Sequence, residues 1–443
     1  MAVATIPHHL PWSSEVESAA CRPMASPGRF FWPIAALLAA LVAAGFVAFA
    51  YQFLEGLWVA GYSDRAFYGI YEANLVAFIG VSYGGALVSA VLRITGARWR
   101  APISRMAEAM ALVSLLVGAS FAIVHLGRPE RVLNLITSGN ASSPILWDFV
   151  AITTYLLATA MFVYLPLVPD LARVRDHLAV GSWRGRIYGL AAIGWADAPE
   201  QRRRLEWAIG IIAVLLIPLA VSVHSVLAWT FSMTTRPGWH STIFGPYFVV
   251  GALYSGVALV ILVVAAFRRA YHLERFVQPR QLLLLSRIMV ALGLVYLYLT
   301  FAEVLTVGYT RTREEVSVLA AVLEGPFAPA FWAFMAGGLF IPIALVALPT
   351  HRRTGALVVA AGLVVVGMWL KRLLIVLPTA TAPLIGDVWG SITITWVPAL
   401  ITLAATAAIP LGMIVLFRFV PILAIDEVER ELAHRAAQQG GPA

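Results

Sequence analysis

Two ionisable residues occur at a spacing that suits proton exchange with a small substrate. His125 begins the run HLGRP, and Asp148 ends the run SPILWD that follows it. Gly127 and Pro129 are residues that end helices, so His125 is predicted at the end of one helix and Asp148 near the start of the next. An imidazole and a carboxylate facing each other across that turn can accept two protons and hydrogen-bond a polar head group. The alternative is structural, with the same residues acting as a helix cap and as an anchor for the loop.

The elements that hold these residues in place are predicted to be membrane-spanning helices. Of the 443 residues, 60% are hydrophobic and 12% are charged, and the mean hydropathy is +0.84. A soluble domain has about one quarter charged residues, so this composition excludes a soluble globular fold. Runs of about twenty apolar residues mark helices that cross a bilayer, and ten such runs predict an all-α integral membrane protein. They lie at residues 33–58, 71–93, 105–125, 147–168, 207–234, 243–267, 282–308, 327–349, 354–376 and 394–420.

The arginines predict which side of the membrane carries the termini. Ten spans place both termini on one side, and positively charged loops are retained in the cytoplasm. Of the 31 basic residues, 22 fall on the side of the termini, six on the opposite side and three inside predicted spans. The sequence therefore predicts a membrane protein with a mostly irregular cytoplasmic tail at 1–32, ten spans at 33–420 and a cytoplasmic tail at 421–443. The second tail is expected to form at most a short charged helix from Ile425.

Ionisable residues within or beside the spans gather towards the side opposite the termini. Charged side chains are costly inside a bilayer unless they are paired or hydrated. In the half nearer the termini only Glu108 and Arg287 are comparably placed. The asymmetry predicts a polar cavity that opens outward, although residues near span ends can also be interfacial anchors that reach water. The outward group comprises Glu55, Glu72, His125, Asp148, His224, Glu303 and Arg372.

Cysteine usage and loop length exclude several classes of function. Cys21 is the only cysteine, so this chain alone can form no disulfide, no cysteine-ligated zinc or iron–sulfur site and no covalent c-type haem. The longest loop, at about 169–206, is basic and is predicted to bind lipid head groups or a partner protein rather than nucleic acid. Two alternatives stay open. His125 and His224 could be axial ligands of a b-type haem, or the chain could be a secondary transporter with helices broken at mid-membrane.

Four segments taken together resemble the NrfD/PsrC superfamily of quinone-interacting membrane subunits. They are HLGRP at 125–129, SPILWD at 143–148, VSVHSV at 221–226 and PGWHSTIFGPYF at 237–248. The ten spans and the last two segments are most similar to ActC, the larger quinol-binding membrane subunit of alternative complex III. The resemblance extends from about residue 50 to residue 420.

That resemblance implies a fold and a function. Spans 2–5 and 6–9 would form two four-helix bundles flanked by spans 1 and 10. The chain would lie in a bacterial inner membrane, and menaquinol or ubiquinol would be oxidised near its outer, periplasmic face. Electrons would pass to an iron–sulfur/molybdopterin-like subunit and multihaem cytochromes c, beside a second NrfD-like membrane subunit. No haem, iron–sulfur cluster or metal site is expected in this chain. The alternative is the membrane anchor of another molybdopterin/iron–sulfur reductase, similar to polysulfide reductase.

The resemblance also implies roles for individual residues. An acidic residue is expected after the VHS run, but Thr230 stands there. Either Glu303 or Glu72 would then carry the protons, or the chain belongs to a related complex. In the loop after the fifth span, Trp239 is predicted to be an interface anchor. The implied assignments are His125, Asp148 and Arg372 as catalytic residues, Arg128, His224 and Glu72 beside the quinol, and Glu303, Glu72 and Thr230 on the proton path.

Overall fold

Helices make up the regular structure of the part of the chain that can be described. The computed structural model describes residues 14–26, 28, 30–64, 66, 68–178, 182–348, 353–383 and 388–438, and no β-strand forms within those ranges. In chain order the α-helices are α1 (Glu15–Ala25), α2 (Phe31–Glu55), α3 (Ile70–Ile94), α4 (Ala101–Val124), α5 (Asn134–Thr137), α6 (Pro144–Tyr164), α7 (Leu167–Asp176), α8 (Trp183–Ala191), α9 (Pro199–Ser232), α10 (Phe244–Ala270), α11 (Pro279–Thr310), α12 (Arg313–Leu323), α13 (Ala328–Ala333), α14 (Ile341–Ala347), α15 (Thr354–Thr381), α16 (Trp396–Leu416) and α17 (Ile425–Gln438).

Nine of these helices, and the continuous segment formed by α13 and α14, are long and apolar enough to cross a bilayer, which confirms the predicted all-α membrane fold. The spans are α2, α3, α4, α6, α9, α10, α11, the pair α13 and α14, α15 and α16. A π-helical segment, Phe334–Phe340, joins α13 to α14. The side of the molecule on which α1 and α17 lie is called the terminal side below, and the opposite side is called the distal side.

Several helices extend beyond the apolar runs that predicted them. α9 begins at Pro199, within the charged segment that precedes its apolar run, because ion pairs between Glu200 and the arginines that follow it continue the helix. α11 continues to Thr310 and α15 to Thr381. Hydropathy detects only the apolar part of a helix. Glu303 and Arg372, which were predicted at the ends of the seventh and ninth spans, therefore lie about two turns or more inside α11 and α15.

The spans form two four-helix bundles that share one interface. In the first bundle α3, α4, α6 and α9 pack in a ring, and in the second α10, α11, α13–α14 and α15 do the same. α3 packs on α10, where Gly84 meets Gly256 so closely that a Cβ on Gly84 would lie 2.3 Å from the Gly256 Cα. α2 and α16 pack against each other, and α16 lies on α4. Spans 1 and 10 therefore form a pair beside the first bundle.

The two terminal helices pack together under the bundles. The Ile422 backbone N–H donates to the Ala20 carbonyl oxygen at 2.9 Å, and the Ser14 hydroxyl donates to Glu429 at 2.5 Å. Part of the N-terminal tail, predicted to be mostly irregular, is thus the helix α1, while residues 1–13 lie outside the described ranges. The predicted charged helix from Ile425 is confirmed as α17.

Candidate functional site

The end of α4 holds His125 in place on the distal side. α4 ends at Val124, and Gly127 adopts a left-handed φ of +64° that turns the chain away from the helix axis. The Gln52 side chain of α2 donates to the Val124 carbonyl oxygen at 3.1 Å, which satisfies one acceptor at that helix end. The predicted helix stop in HLGRP is therefore present, and it leaves the His125 side chain about 30% exposed.

Glu72, in the first turn of α3, forms an ion pair with Nδ1 of His125. Its second oxygen accepts from the Tyr62 hydroxyl at 2.9 Å and from the Gly69 backbone N–H at 2.7 Å. Burial lowers the pKa of His125, but the hydrogen bond and charge of Glu72 outweigh burial and leave that pKa above its ordinary value. With Nδ1 engaged, Nε2 is the ring atom that can meet a substrate proton.

Tyr68 contacts this pair, and the charge of Asp148 also acts on its phenol. The Tyr68 ring stacks on the His125 imidazole, with 5.6 Å between ring centroids and 28° between planes. Burial raises the pKa of the Tyr68 phenol, the charges of Glu72 and Asp148 raise it further, and Arg236 opposes them. Both carboxylates therefore act on one phenol, and Tyr68, Glu72, His125 and Asp148 are called the distal site below.

Asp148 lies in the second turn of α6, against α9. The Thr230 side chain lies beside its carboxyl group, and the Thr230 hydroxyl donates to the Leu227 carbonyl oxygen. Oδ1 of Asp148 is buried without a hydrogen-bond partner among the described residues. The neutral residue at 230 places no second carboxylate beside Asp148, and the free oxygen can accept a bond from a substrate hydroxyl.

An aromatic wall separates the distal site from the second bundle. Trp239, predicted to be an interface anchor, is only 1% exposed, and its indole N–H donates to the Ile375 carbonyl oxygen at 2.7 Å. Its ring packs edge-on to Phe231 at 4.9 Å and against Tyr68 at 5.7 Å. The interface prediction for Trp239 is therefore wrong, because a tight turn through Gly238, at φ +85°, directs the indole inward.

Arg372 lies on the other side of this wall, deep in the second bundle. Its guanidinium sits over the Phe248 ring at 5.3 Å, and a methyl group on Gly251 would lie 2.8 Å from its Nη2. No hydrogen bond, ion pair or ring contact joins Arg372 to His125 or Asp148 in the part of the chain that the structure describes. Among the described residues, Arg372 contacts neither of the other two residues of the implied catalytic set, and those two are related only through Tyr68.

His224 is also buried away from the distal site. Its ring lies 4.7 Å from the Tyr83 ring, and its Nε2 would be 3.6 Å from a methyl group on Gly80. Those contacts fall eight or more residues along α3 from Glu72, a rise of about 12 Å. His125 and His224 therefore lie at different depths, which does not suit a pair of axial haem ligands.

The remaining predicted residues lie outside the distal site. Glu303 faces Lys371 in the second bundle, with 3.8 Å between Oε2 and Nζ, and both line a small distal cavity of about 70 Å³. Arg128 is exposed, with no ion pair among the described residues. The structure thus brings Glu72 onto His125 and Thr230 beside Asp148, with Tyr68 stacked on the imidazole, and among the residues it describes neither Glu303 nor Arg128 contacts these side chains.

Sequence reasoning missed Tyr68 and the role of Trp239. Tyr68 precedes the third helix in a polar segment, where a single tyrosine carries no distinguishing signal. The signal available for Trp239 was its position in PGWHSTIFGPYF, because Pro237 and Gly238 mark a tight turn that can direct the next side chain inward.

Comparison with known proteins identifies the family. The family model described as "Polysulphide reductase, NrfD" matches residues 58–383, more than half of the chain. The chain belongs to the NrfD family. The matched range begins after α2 and ends after α15, so it contains both bundles and the complete distal site.

Curated NrfD-like relatives cover most of the chain. It is 27% identical over 333 residues to a Halobacterium salinarum protein named as a membrane subunit of dimethyl sulfoxide reductase, covering 74% of this chain and 73% of the relative. It is 24% identical over 358 residues to a subunit of the selenate reductase of Mesobacillus selenatarsenatis, covering 78% and 82%. It is 24% identical over 324 residues to an Hdr-like menaquinol oxidoreductase integral membrane subunit of Archaeoglobus fulgidus, covering 72% and 71%. The NrfD resemblance predicted from the motifs is confirmed.

Proposed function

We propose that this chain is the quinol-oxidising membrane subunit of a multisubunit oxidoreductase and that the distal site binds the quinol head group. The observation that carries the proposal is the Glu72–His125 ion pair, with Tyr68 stacked on the imidazole and acted on by Asp148. Menaquinol or ubiquinol is the substrate. A relative named as a menaquinol oxidoreductase subunit supports the proposal.

The residues of the distal site suit the two proton transfers of this reaction. Oxidation of a quinol to a quinone breaks two O–H bonds and releases two electrons and two protons. Nε2 of His125 accepts one proton while Glu72 holds the imidazole in place and stabilises its charged form. Oδ1 of Asp148 accepts the other. The electrons leave to an iron–sulfur centre of a partner subunit, because this chain carries no redox group in the proposal.

The distal side would face the periplasm, with both termini in the cytoplasm. The arginine distribution supports this orientation, since 22 of the 31 basic residues fall on the side of the termini. Protons would then leave outward from Glu72, without passing through Glu303, which pairs with Lys371 beyond the aromatic wall.

Two assemblies are compatible with the same site. The motif resemblance favours alternative complex III, with multihaem cytochromes c and a second NrfD-like subunit. Relatives named as subunits of dimethyl sulfoxide reductase and selenate reductase favour a molybdopterin/iron–sulfur reductase, as does Thr230 in place of the expected acid. Proteins that co-purify with the chain in mild detergent distinguish the two, because only the first assembly brings multihaem cytochromes.

The site is tested by quinol-dependent electron transfer in the complete complex. We expect His125→Ala and Asp148→Asn each to lower kcat by about 100-fold or more, as loss of general acid–base catalysis does. Two exposed distal residues supply matched controls, and His240→Ala and Asp64→Asn should retain wild-type turnover. Wild-type turnover in both site variants would refute the proposal.

A further inference from the structure

A cavity of about 550 Å³ opens at the terminal side of the first bundle. The last turn of α3 and the first turns of α4, α7 and α9 form its walls, and α17 lies across it. It stands at the opposite end of the bundle from the distal site and uses none of its residues. The ligand of this cavity is therefore distinct from the quinol.

One part of the cavity is basic and retains unused hydrogen-bond donors. Arg93 and Arg100 both pair with Glu427 of α17, with 2.7 Å between Arg100 Nη1 and Glu427 Oε2. Burial acts to raise the pKa of Glu427, but these arginines outweigh it and hold that pKa below its ordinary value. Nε of Arg93 is buried without a hydrogen-bond partner within the described ranges. Arg98 is exposed and forms no ion pair with any described residue. A phosphate group is the ligand that such guanidinium donors prefer.

Another part of the cavity is acidic and retains unused acceptors. Asp170 is 1% exposed, and its Oδ2 accepts from Arg105 Nη2 at 2.8 Å. The Ile425 backbone N–H acts on the Asp170 carboxyl group, but Oδ1 forms no hydrogen bond of normal geometry with any described residue. Glu431 accepts from Arg435 at 2.7 Å through Oε1, whereas its Oε2 is buried and, in the described structure, without a partner. Buried carboxylate oxygens normally accept hydrogen bonds, so these two oxygens favour a ligand that carries N–H donors. An ammonium group supplies several such donors.

The charges of the cavity balance, which selects against a simple anion. Five arginines and five carboxylates line it. A phosphate alone would meet the free donors but leave the carboxylate oxygens of Asp170 and Glu431 unsatisfied and would add repulsion. Leu205 and Ile209 of α9 form an apolar part of the wall, at the level where α9 leaves its charged first turns. A ligand that fits carries a phosphate and a primary amine and continues into an apolar tail.

We propose that this cavity binds the phosphoethanolamine head group of a phospholipid, with the phosphate on Arg93 and Arg98 and the ammonium on Asp170 and Glu431. A choline head group meets the same charges but has no N–H to donate, so the cavity should discriminate between the two. A glycerol head group has no cation and leaves both carboxylates unpaired. The bound lipid would fix α17 against the first bundle at the terminal side.

The test uses the purified full-length chain, delipidated in detergent and examined by native mass spectrometry after titration with dioleoyl phosphatidylethanolamine, phosphatidylcholine or phosphatidylglycerol. We expect the ethanolamine lipid to bind at least about tenfold more tightly than the other two, the ratio that one charge-assisted hydrogen bond supplies. Equal binding of the choline or glycerol lipid would overturn the proposal. Free O-phosphoethanolamine should compete with the lipid, and binding of the free compound without any binding of the lipid would overturn the lipid assignment.

Variants locate the binding to the cavity. Arg98→Gln and Glu431→Gln should each weaken binding of the ethanolamine lipid about tenfold. They are preferred to Asp170→Asn, because that substitution also removes the buried ion pair with Arg105 and changes stability as well as the cavity. Arg203→Gln is the control, since Arg203 is 81% exposed and pairs with Glu200 on the same end of α9. Unchanged lipid affinity in both cavity variants, with the control also unchanged, would refute the site.

Discussion

Glu72 in the first turn of α3 forms an ion pair with Nδ1 of His125, which caps α4. The same carboxylate accepts from the Tyr62 hydroxyl and the Gly69 backbone N–H, so its position is defined from three directions. In the proposed function, the pair combines the role of helix cap with that of proton acceptor, which the sequence left as alternatives. The residue that ends α4 is thus also the residue that Glu72 orients.

Glu72→Gln should change the pH dependence of quinol oxidation. Glu72 keeps the pKa of His125 above its ordinary value, and a raised histidine pKa stabilises the folded protein below the ordinary pKa, a contribution lost as the pH rises through the raised value. Removing the charge lowers the pKa of His125, so the acidic limb of the kcat profile should move to lower pH while the maximal rate falls. Glu55→Gln, at the exposed end of α2, is the control. An unmoved acidic limb in Glu72→Gln would contradict the pairing.

Trp239→Phe should weaken substrate binding more than turnover. The substitution removes the indole hydrogen bond to Ile375 and loosens the wall that Trp239 forms with Phe231 and Tyr68. We expect KM for quinol to rise by up to about tenfold, because the ring that packs against Tyr68 is no longer fixed by its buried hydrogen bond, with kcat changed much less. Trp229→Phe, on an exposed face of α9, should leave both constants unchanged. A fall in kcat at constant KM would argue against a positioning role.

Asp170→Asn should remove a pH-dependent part of the stability. Burial raises the pKa of this carboxyl to about 7, although Arg105 and Arg173 oppose the shift; Asp426 of α17 adds to it. The unfolded carboxyl has an ordinary, lower pKa, so the wild-type protein gains stability as the pH falls from about 7 towards 4 and loses it as the pH rises. We expect the wild-type Tm minus the variant Tm, measured by thermal unfolding in lipid-free detergent, to fall by a few degrees from pH 5.5 to 8.5.

Asp176→Asn supplies the comparison for that measurement. Asp176 lies on the same helix, α7, with its side chain 63% exposed. Its substitution should give a Tm difference that is constant across the same pH range. A constant difference for Asp170→Asn as well would show that its buried carboxyl does not titrate in this range.

Gly84→Ala should destabilise the interface between the two bundles. The new Cβ would lie 2.3 Å from the Gly256 Cα, which is backbone and cannot rotate away, so α3 and α10 must separate. Overpacking of this kind costs about 1–3 kcal/mol. Gly362→Ala is the matched control, because nothing lies within 4 Å of a Cβ there and a helical alanine is favoured over glycine. Thermal unfolding that ranks Gly84→Ala at or above the control would contradict the close helix contact.

The sequence alone was sufficient for the number and type of the helices. Apolar runs long enough to cross a bilayer do not depend on their neighbours, and all ten predicted spans are present. The four motif segments taken together were also sufficient for the family, and the glycine stop expected after His125 is present at Gly127. These features are local, so each can be recognised within a single segment.

Only the tertiary structure decided which side chains meet. A helix surrounded by lipid and by other apolar helices is hydrophobic on every face, so its sequence pattern does not show which face points inward. The contact of Glu72 with His125 and the separation of Arg372 from the distal site both depend on that rotation, whereas the inward direction of Trp239 depends on the turn at Gly238. The same holds at the terminal side, where Arg105 and Asp170 meet across 65 residues of chain. Composition and motifs were enough to predict the helices of this protein. The packing of those helices decided which side chains meet, because it sets which face of each helix points inward.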